Sequence, residues 1–137
     1  MNSHATIGAY MTPSPHTIGA RQSLATAHRL MTAHNIRHLP VLDRGQLVGI
    51  VSDRDLRFVE SIKGVDRDTV AVEEGMTADP FTATRETPLR EVVEAMAAHK
   101  YGAVVVMDGS LAIGIFTTHD VARLLAMILA QATEPTG

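Results

Sequence analysis

The chain has 137 residues, 45% of them hydrophobic and 20% charged, the balance of an ordinary globular domain with a sizeable core. There is no cysteine, which removes disulfides and thiolate metal sites, and the net charge of −3 argues against a duplex-binding surface. No apolar run reaches the roughly 18 residues that a membrane helix needs, and the N-terminus lacks the pattern of a signal peptide, so a soluble cytoplasmic protein is expected.

Taken along the chain, Thr17 and Ile18 follow a proline and read as a short extended lead-in. Ser23 is a good N-cap for a helix carrying Leu24, Ala27, Leu30 and Met31 on one face. Two apolar runs, 38–42 and 47–51, then flank the turn Asp43-Arg44-Gly45-Gln46. A second helix is expected over 54–61, with Gly64 as its stop, and a polar connector over 62–75. The same order returns in the second half. Thr82 and Ala83 form a lead-in, Thr87 caps a helix with Pro88 at its first position, and Leu89, Val92, Val93 and Met96 share one face. The runs 103–107 and 111–116 flank Asp108-Gly109-Ser110, a strong hairpin signal. A last helix is expected over 119–130, and a frayed tail over 131–137.

The recurrence is not only of elements. Shifting the sequence by 65 residues, without a gap, lays residues 11–56 on 76–121. The identities include Met11, Thr12, Pro15, Leu24, Met31, His34, Asp43, Gly49, Ile50 and Asp55 with their partners. A repeat of this length means two copies of one supersecondary unit packing on each other. The fold class is therefore mixed α and β (α+β or α/β): two β-α-β-β-α units, 5–61 and 76–130, related by a pseudo-two-fold axis.

The series Met11-Thr12-Pro13, Ile36-Arg37-His38-Leu39-Pro40-Val41 and 47–56 resembles a cystathionine-β-synthase (CBS) motif. Met76-Thr77, residues 101–106 and 113–121 resemble a second one. The resemblance covers residues 5 to 130 and implies a tandem pair, or Bateman module. Such modules bind AMP, ADP, ATP or S-adenosylmethionine in two pseudo-symmetric clefts and usually pair as dimers. The family's Ser/Thr-x-x-Asp signature is matched by Ser52 with Asp55 and by Thr117 with Asp120. A carboxylate accepts two hydrogen bonds at once, which suits the cis hydroxyls of ribose, and a helix N-terminus favours a phosphate. The same spacing also fits a bare capping box, with Asp55 and Asp120 as its acids.

By the same resemblance Arg37, His38, Arg54 and His119 stand where phosphates are met. Thr17, Ile18, Ile36 and Leu39 would line one adenine slot, and Thr82, Ala83, Tyr101 and Val104 the other. Arg37 becomes Gly102 and Pro40 becomes Val105 in the second copy. The Asp55 site is therefore expected to bind more tightly, having the extra phosphate donor and a stiffer turn. The basic cluster on an acidic chain favours a nucleotide over S-adenosylmethionine.

The seven histidines do not make a metal-ligand constellation, since His34 and His38 are separated by a helix end. No nucleophile or phosphate-loop motif appears, so no catalytic residue, no metal and no required cofactor are expected. The last helix is apolar nearly all round, from Val121 to Ala130, which points to burial against a second copy. The reading is a regulatory, dimeric adenine-nucleotide sensor acting on a separate regulated protein. The alternatives are an S-adenosylmethionine sensor, or an interaction scaffold with vestigial clefts.

Overall fold

In the computed structural model, which describes residues 4–133, the chain forms four helices and eight strands, with two short 3-10 turns. The first half runs β1 (Thr12–Pro13), β2 (Ile18–Gly19), α1 (Leu24–His34), β3 (His38–Asp43), β4 (Gln46–Ser52) and α2 (Asp53–Glu60). The second half repeats it as β5 (Thr77–Ala78), β6 (Thr82–Thr84), α3 (Leu89–His99), β7 (Ala103–Asp108), β8 (Leu111–Thr117) and α4 (Thr118–Thr133).

Local chemistry accounts for most of these boundaries. Ser23 caps α1 by accepting the Thr26 N–H, and Asn35 ends it in the left-handed conformation. The β3–β4 turn uses Arg44 and Gly45, both with positive φ (53° and 78°), which is the type I′ geometry that matches strand twist. Three boundary expectations need correction. Helix α3 is preceded by Pro88, whose fixed φ suits the start, while the Thr87 hydroxyl accepts the Thr84 N–H instead of capping the helix. Helix α2 ends at Ser61, whose N–H still bonds within the last turn, so Gly64 (φ 89°) shapes the following loop. Helix α4 runs on to Thr133, taking up the start of the expected tail; residues 134–137 of that tail lie outside the described residues.

Each half buries its own core. Leu24, Met31, Leu39, Val41, Val51 and Leu56 form one, and Leu89, Val92, Met96, Val104, Val106 and Phe116 the other. The halves also trade segments. The sheets run β2-β3-β4-β5 and β1-β8-β7-β6, so β5 pairs antiparallel with β4, and β1 with β8. The residues beside the traded strands go with them. Ile7, fully buried, belongs to the second core, and Val72, equally buried, belongs to the first.

Two of the repeat-matched identities find their reason at these crossings. Met76 lies against Gly49 and Met11 against Gly114, each so close that no Cβ fits on the glycine. A side chain at Gly49 would also meet the Thr77 carbonyl and push β5 off its partner, and one at Gly114 would displace the Met11 side chain. The repeated Met and Gly are thus one device, used twice.

Candidate functional site

The turn from the last strand of each half into its last helix places the two candidate carboxylates. Ser52 ends β4 and caps α2 in a full capping box. Its hydroxyl accepts the Asp55 N–H at 3.0 Å, and Asp55 Oδ2 accepts the Ser52 N–H at 2.9 Å. Thr117 and Asp120 repeat the arrangement. Asp120 Oδ2 accepts both the N–H (2.8 Å) and the hydroxyl (3.1 Å) of Thr117, and the Asp120 N–H reaches the Thr117 hydroxyl at 3.4 Å. Capping occupies one carboxylate oxygen in each copy, so the capping role is present and the second oxygen decides what else the group can do.

Those second oxygens differ. Asp120 Oδ1 accepts a bond from Arg123 Nη2 at 2.8 Å, and Asp120 is 7% exposed. Asp55 Oδ1 has no hydrogen-bond partner among the described residues. The repeat position of Arg123 is Phe58, which offers no donor, and the nearby Arg57 is bonded to Asp53 instead. That bond holds the Asp53 carboxyl below its ordinary range, against a smaller opposing effect of burial.

Each carboxylate faces a cleft whose far wall comes from the other half. The Asp120 cleft, about 800 Å³, is walled by Ile36, Arg37, His38, Thr117, His119, Asp120 and Arg123, with residues 12–16 along its rim. The Asp55 cleft, about 710 Å³, is walled by Ser52, Arg54, Asp55, Phe81, Lys100, Tyr101 and Gly102, and again by Arg37 and His38. An aromatic pair flanks each mouth. Phe81 stacks on Tyr101 at 4.8 Å between centroids, and His16 stacks on His34 at 3.6 Å.

Set against the sequence reading, the structure brings Ile36, Arg37, His38, Ser52, Arg54, Asp55, Tyr101, Thr117, His119 and Asp120 to cleft walls. It does not bring the other six. Ile18, Leu39, Ala83 and Val104 are buried in the two cores, because their strand positions face the helices, and the side chains of Thr17 and Thr82 line neither cleft. Ile36 walls the Asp120 cleft and Tyr101 the Asp55 cleft, so each of these residues serves the carboxylate of the opposite half. Arg37 borders both clefts, so its absence from the second copy does not favour Asp55 in the way expected. Pro40 lies within β3 and is not part of a turn. Phe81, Lys100 and Arg123 went unnoticed in the sequence, though Arg123 falls one helical turn after Asp120.

His38 sits between the clefts, with its ring edge against Gly102. Burial lowers the pKa of its imidazole, and Arg37 adds to the effect, while Asp55 and Asp53 partly offset it. Among the described residues no group of three or more potential metal ligands is assembled, and no helix is long and apolar enough to cross a membrane.

The CBS domain family model matches the chain twice, over residues 7–61 and 69–127. The chain belongs to the CBS domain family. As a CBS pair it is similar along most of its length to the CBS domain-containing protein YhcV of Bacillus subtilis, at 29% identity over 112 residues, covering 82% of this chain and 79% of YhcV. Two solved CBS proteins superpose closely. The domain pair of MJ0100, in complex with 5′-methylthioadenosine and S-adenosyl-L-methionine, gives a TM-score of 0.79 at 28% identity, over 89% of this chain and 96% of that one. CBSX2 in complex with AMP gives 0.73 at 28% identity, over 90% and 97%. Other relatives carry enzyme names and are far longer. The L-aspartate semialdehyde sulfurtransferase of Methanocaldococcus jannaschii is 32% identical over 112 residues, but this chain spans only 21% of it.

Proposed function

We propose that this CBS pair is a regulatory module that binds an adenine nucleotide in its two clefts, with Asp55 and Asp120 holding the ribose. The observation that carries the reading is a free carboxylate oxygen, Asp55 Oδ1, at a helix N-terminus in a cleft that also presents Arg37, Arg54 and Lys100. A carboxylate for the diol, amides and cations for the phosphate and the Phe81–Tyr101 stack for a base are the parts a nucleotide needs. The AMP held by CBSX2 supports the same reading.

The ligand touches residues from both halves at once, so binding would fix their relative angle and thereby alter the affinity of a partner protein. The exposed apolar side chains of α4 favour a homodimer as the working form. The ligands of MJ0100 favour a second reading, an S-adenosylmethionine sensor. In support of it, Asp53 and Asp79 beside the Asp55 cleft suit a sulfonium cation.

Thermal unfolding with millimolar AMP, ADP, ATP, S-adenosylmethionine or NADH separates these readings. A ligand at a hundred times its Kd adds about 2.7 kcal/mol per site, a shift of several degrees at this chain length. The expected result is a rise with one adenine nucleotide that Asp55→Ala removes. A rise with S-adenosylmethionine alone selects the second reading, and no rise with any ligand leaves an interaction module.

A further inference from the structure

The two clefts are not independent compartments. Arg37, His38 and Thr118 border both, whereas the remaining basic residues belong to one each: Arg54, Arg57 and Lys100 to the Asp55 cleft, His16, His119 and Arg123 to the Asp120 cleft. A symmetric module would carry a second arginine at the repeat position of Arg37, one for each cleft. That position is Gly102, and a Cβ there would stand 3.1 Å from His38 Nε2. A side chain at this position would need the His38 ring to give way by a few tenths of an ångström. The backbones on the two sides remain equivalent: the Arg37 carbonyl accepts the Asp53 N–H at 2.9 Å, and the Gly102 carbonyl accepts the Thr118 N–H at 3.0 Å. Arg37 is exposed, and its guanidinium makes no hydrogen bond or ion pair with the described residues.

Resting on the nucleotide reading, we infer that Arg37 is one phosphate-binding group held in common by the two clefts, so that a phosphorylated ligand in one cleft weakens binding of a second in the other. A guanidinium engages one phosphate with its fork at a time. The first nucleotide captures it and leaves its own negative charge at the shared wall. The second nucleotide meets the opposite cleft without that donor and against that charge. His38 is a poorer phosphate donor at neutral pH, because burial lowers the pKa of its imidazole. A ligand without a phosphate would fill both clefts with no such penalty.

The test uses calorimetric titration of the intact chain with AMP and with adenosine. Asp55→Ala and Asp120→Ala each leave one working cleft; if alanine disturbs the melt, Asp55→Asn and Asp120→Asn keep the helix cap. Adding Arg37→Gln should weaken AMP about fivefold or more in both single-cleft backgrounds, the lower end of ordinary coupling. In the protein with both clefts working, the same change should lower the product of the two stepwise association constants by that factor once, not twice. Adenosine should be indifferent to it throughout. A loss in only one background, in neither, or twice over in the two-cleft protein would overturn the shared-arginine inference while leaving nucleotide binding intact. If neither AMP nor adenosine binds the unmodified chain, the nucleotide reading itself falls, and the inference with it.

Discussion

Arg123 illustrates how one side chain makes repeated copies unequal. It bonds the one oxygen of Asp120 that capping leaves over, so a ribose entering that cleft must displace it. The arginine is largely exposed, and exposed ion pairs are worth about 0–1 kcal/mol. Arg123→Ala in an Asp55→Ala background should therefore tighten adenosine binding by about two- to fivefold, as read by titration calorimetry. An unchanged or weaker affinity would show that the arginine does not compete with the ligand. His38 gives a pH prediction. Because burial holds its pKa below 6.5, the unfolded chain takes up this proton at a higher pH than the folded one does. Its contribution to stability is complete above the unfolded value and declines as pH falls toward the folded one. Urea midpoints measured at pH 7.5 and 5.5 should therefore drop less for His38→Gln than for the unmodified chain.

At the scale of elements, the repeat makes each β-α-β-β-α unit readable, since capping residues, helical faces and the Arg44-Gly45 turn all carry local signals. What it hides is exchange. Strands β1 and β5 are two residues long and carry no periodicity, so nothing near Thr12 or Thr77 says that each pairs in the opposite sheet. The same exchange sets the cleft walls: Ile36 and Tyr101 stand across the module from the Asp of their own half. Ile18, Leu39, Ala83 and Val104 look alike whether a strand faces a helix or a ligand, and only the packed sheet decides between core and wall. A residue at the far end of the chain from its core is a sharp probe of the exchange. Ile7→Ala should cost about 2–5 kcal/mol, the range for emptying a fully buried aliphatic site, although Ile7 precedes the first strand. Chemical denaturation measures it, and a loss below 1 kcal/mol would contradict the burial.

For the molecule as a whole, the unmatched surface is apolar. On α4, Leu125, Met127, Ile128 and Leu129 are 40–59% exposed; Phe58 on α2 is 71% exposed and Ile62, just after that helix, 51%. A second copy laid against these helices would cover them, and light scattering at micromolar concentration should give twice the chain mass. Leu125→Glu and Ile128→Glu together should halve it without unfolding the chain, and a monomeric unmodified protein would end the dimer reading.

The traded strands carry a further consequence, in the order in which the molecule can come together. As the polypeptide is synthesised from its N-terminus, the first sheet is complete once β5 has been made, about midway along the chain. Strand β1 is made earliest of all, yet its pairing edge on β8 arrives only near the end, about a hundred residues later. A growing chain therefore closes its middle first and its beginning last, and the N-terminal segment with Ile7 waits unpaired until the second hairpin is finished. Stalled or truncated products would expose that segment, and with it the apolar floor of the unfinished half.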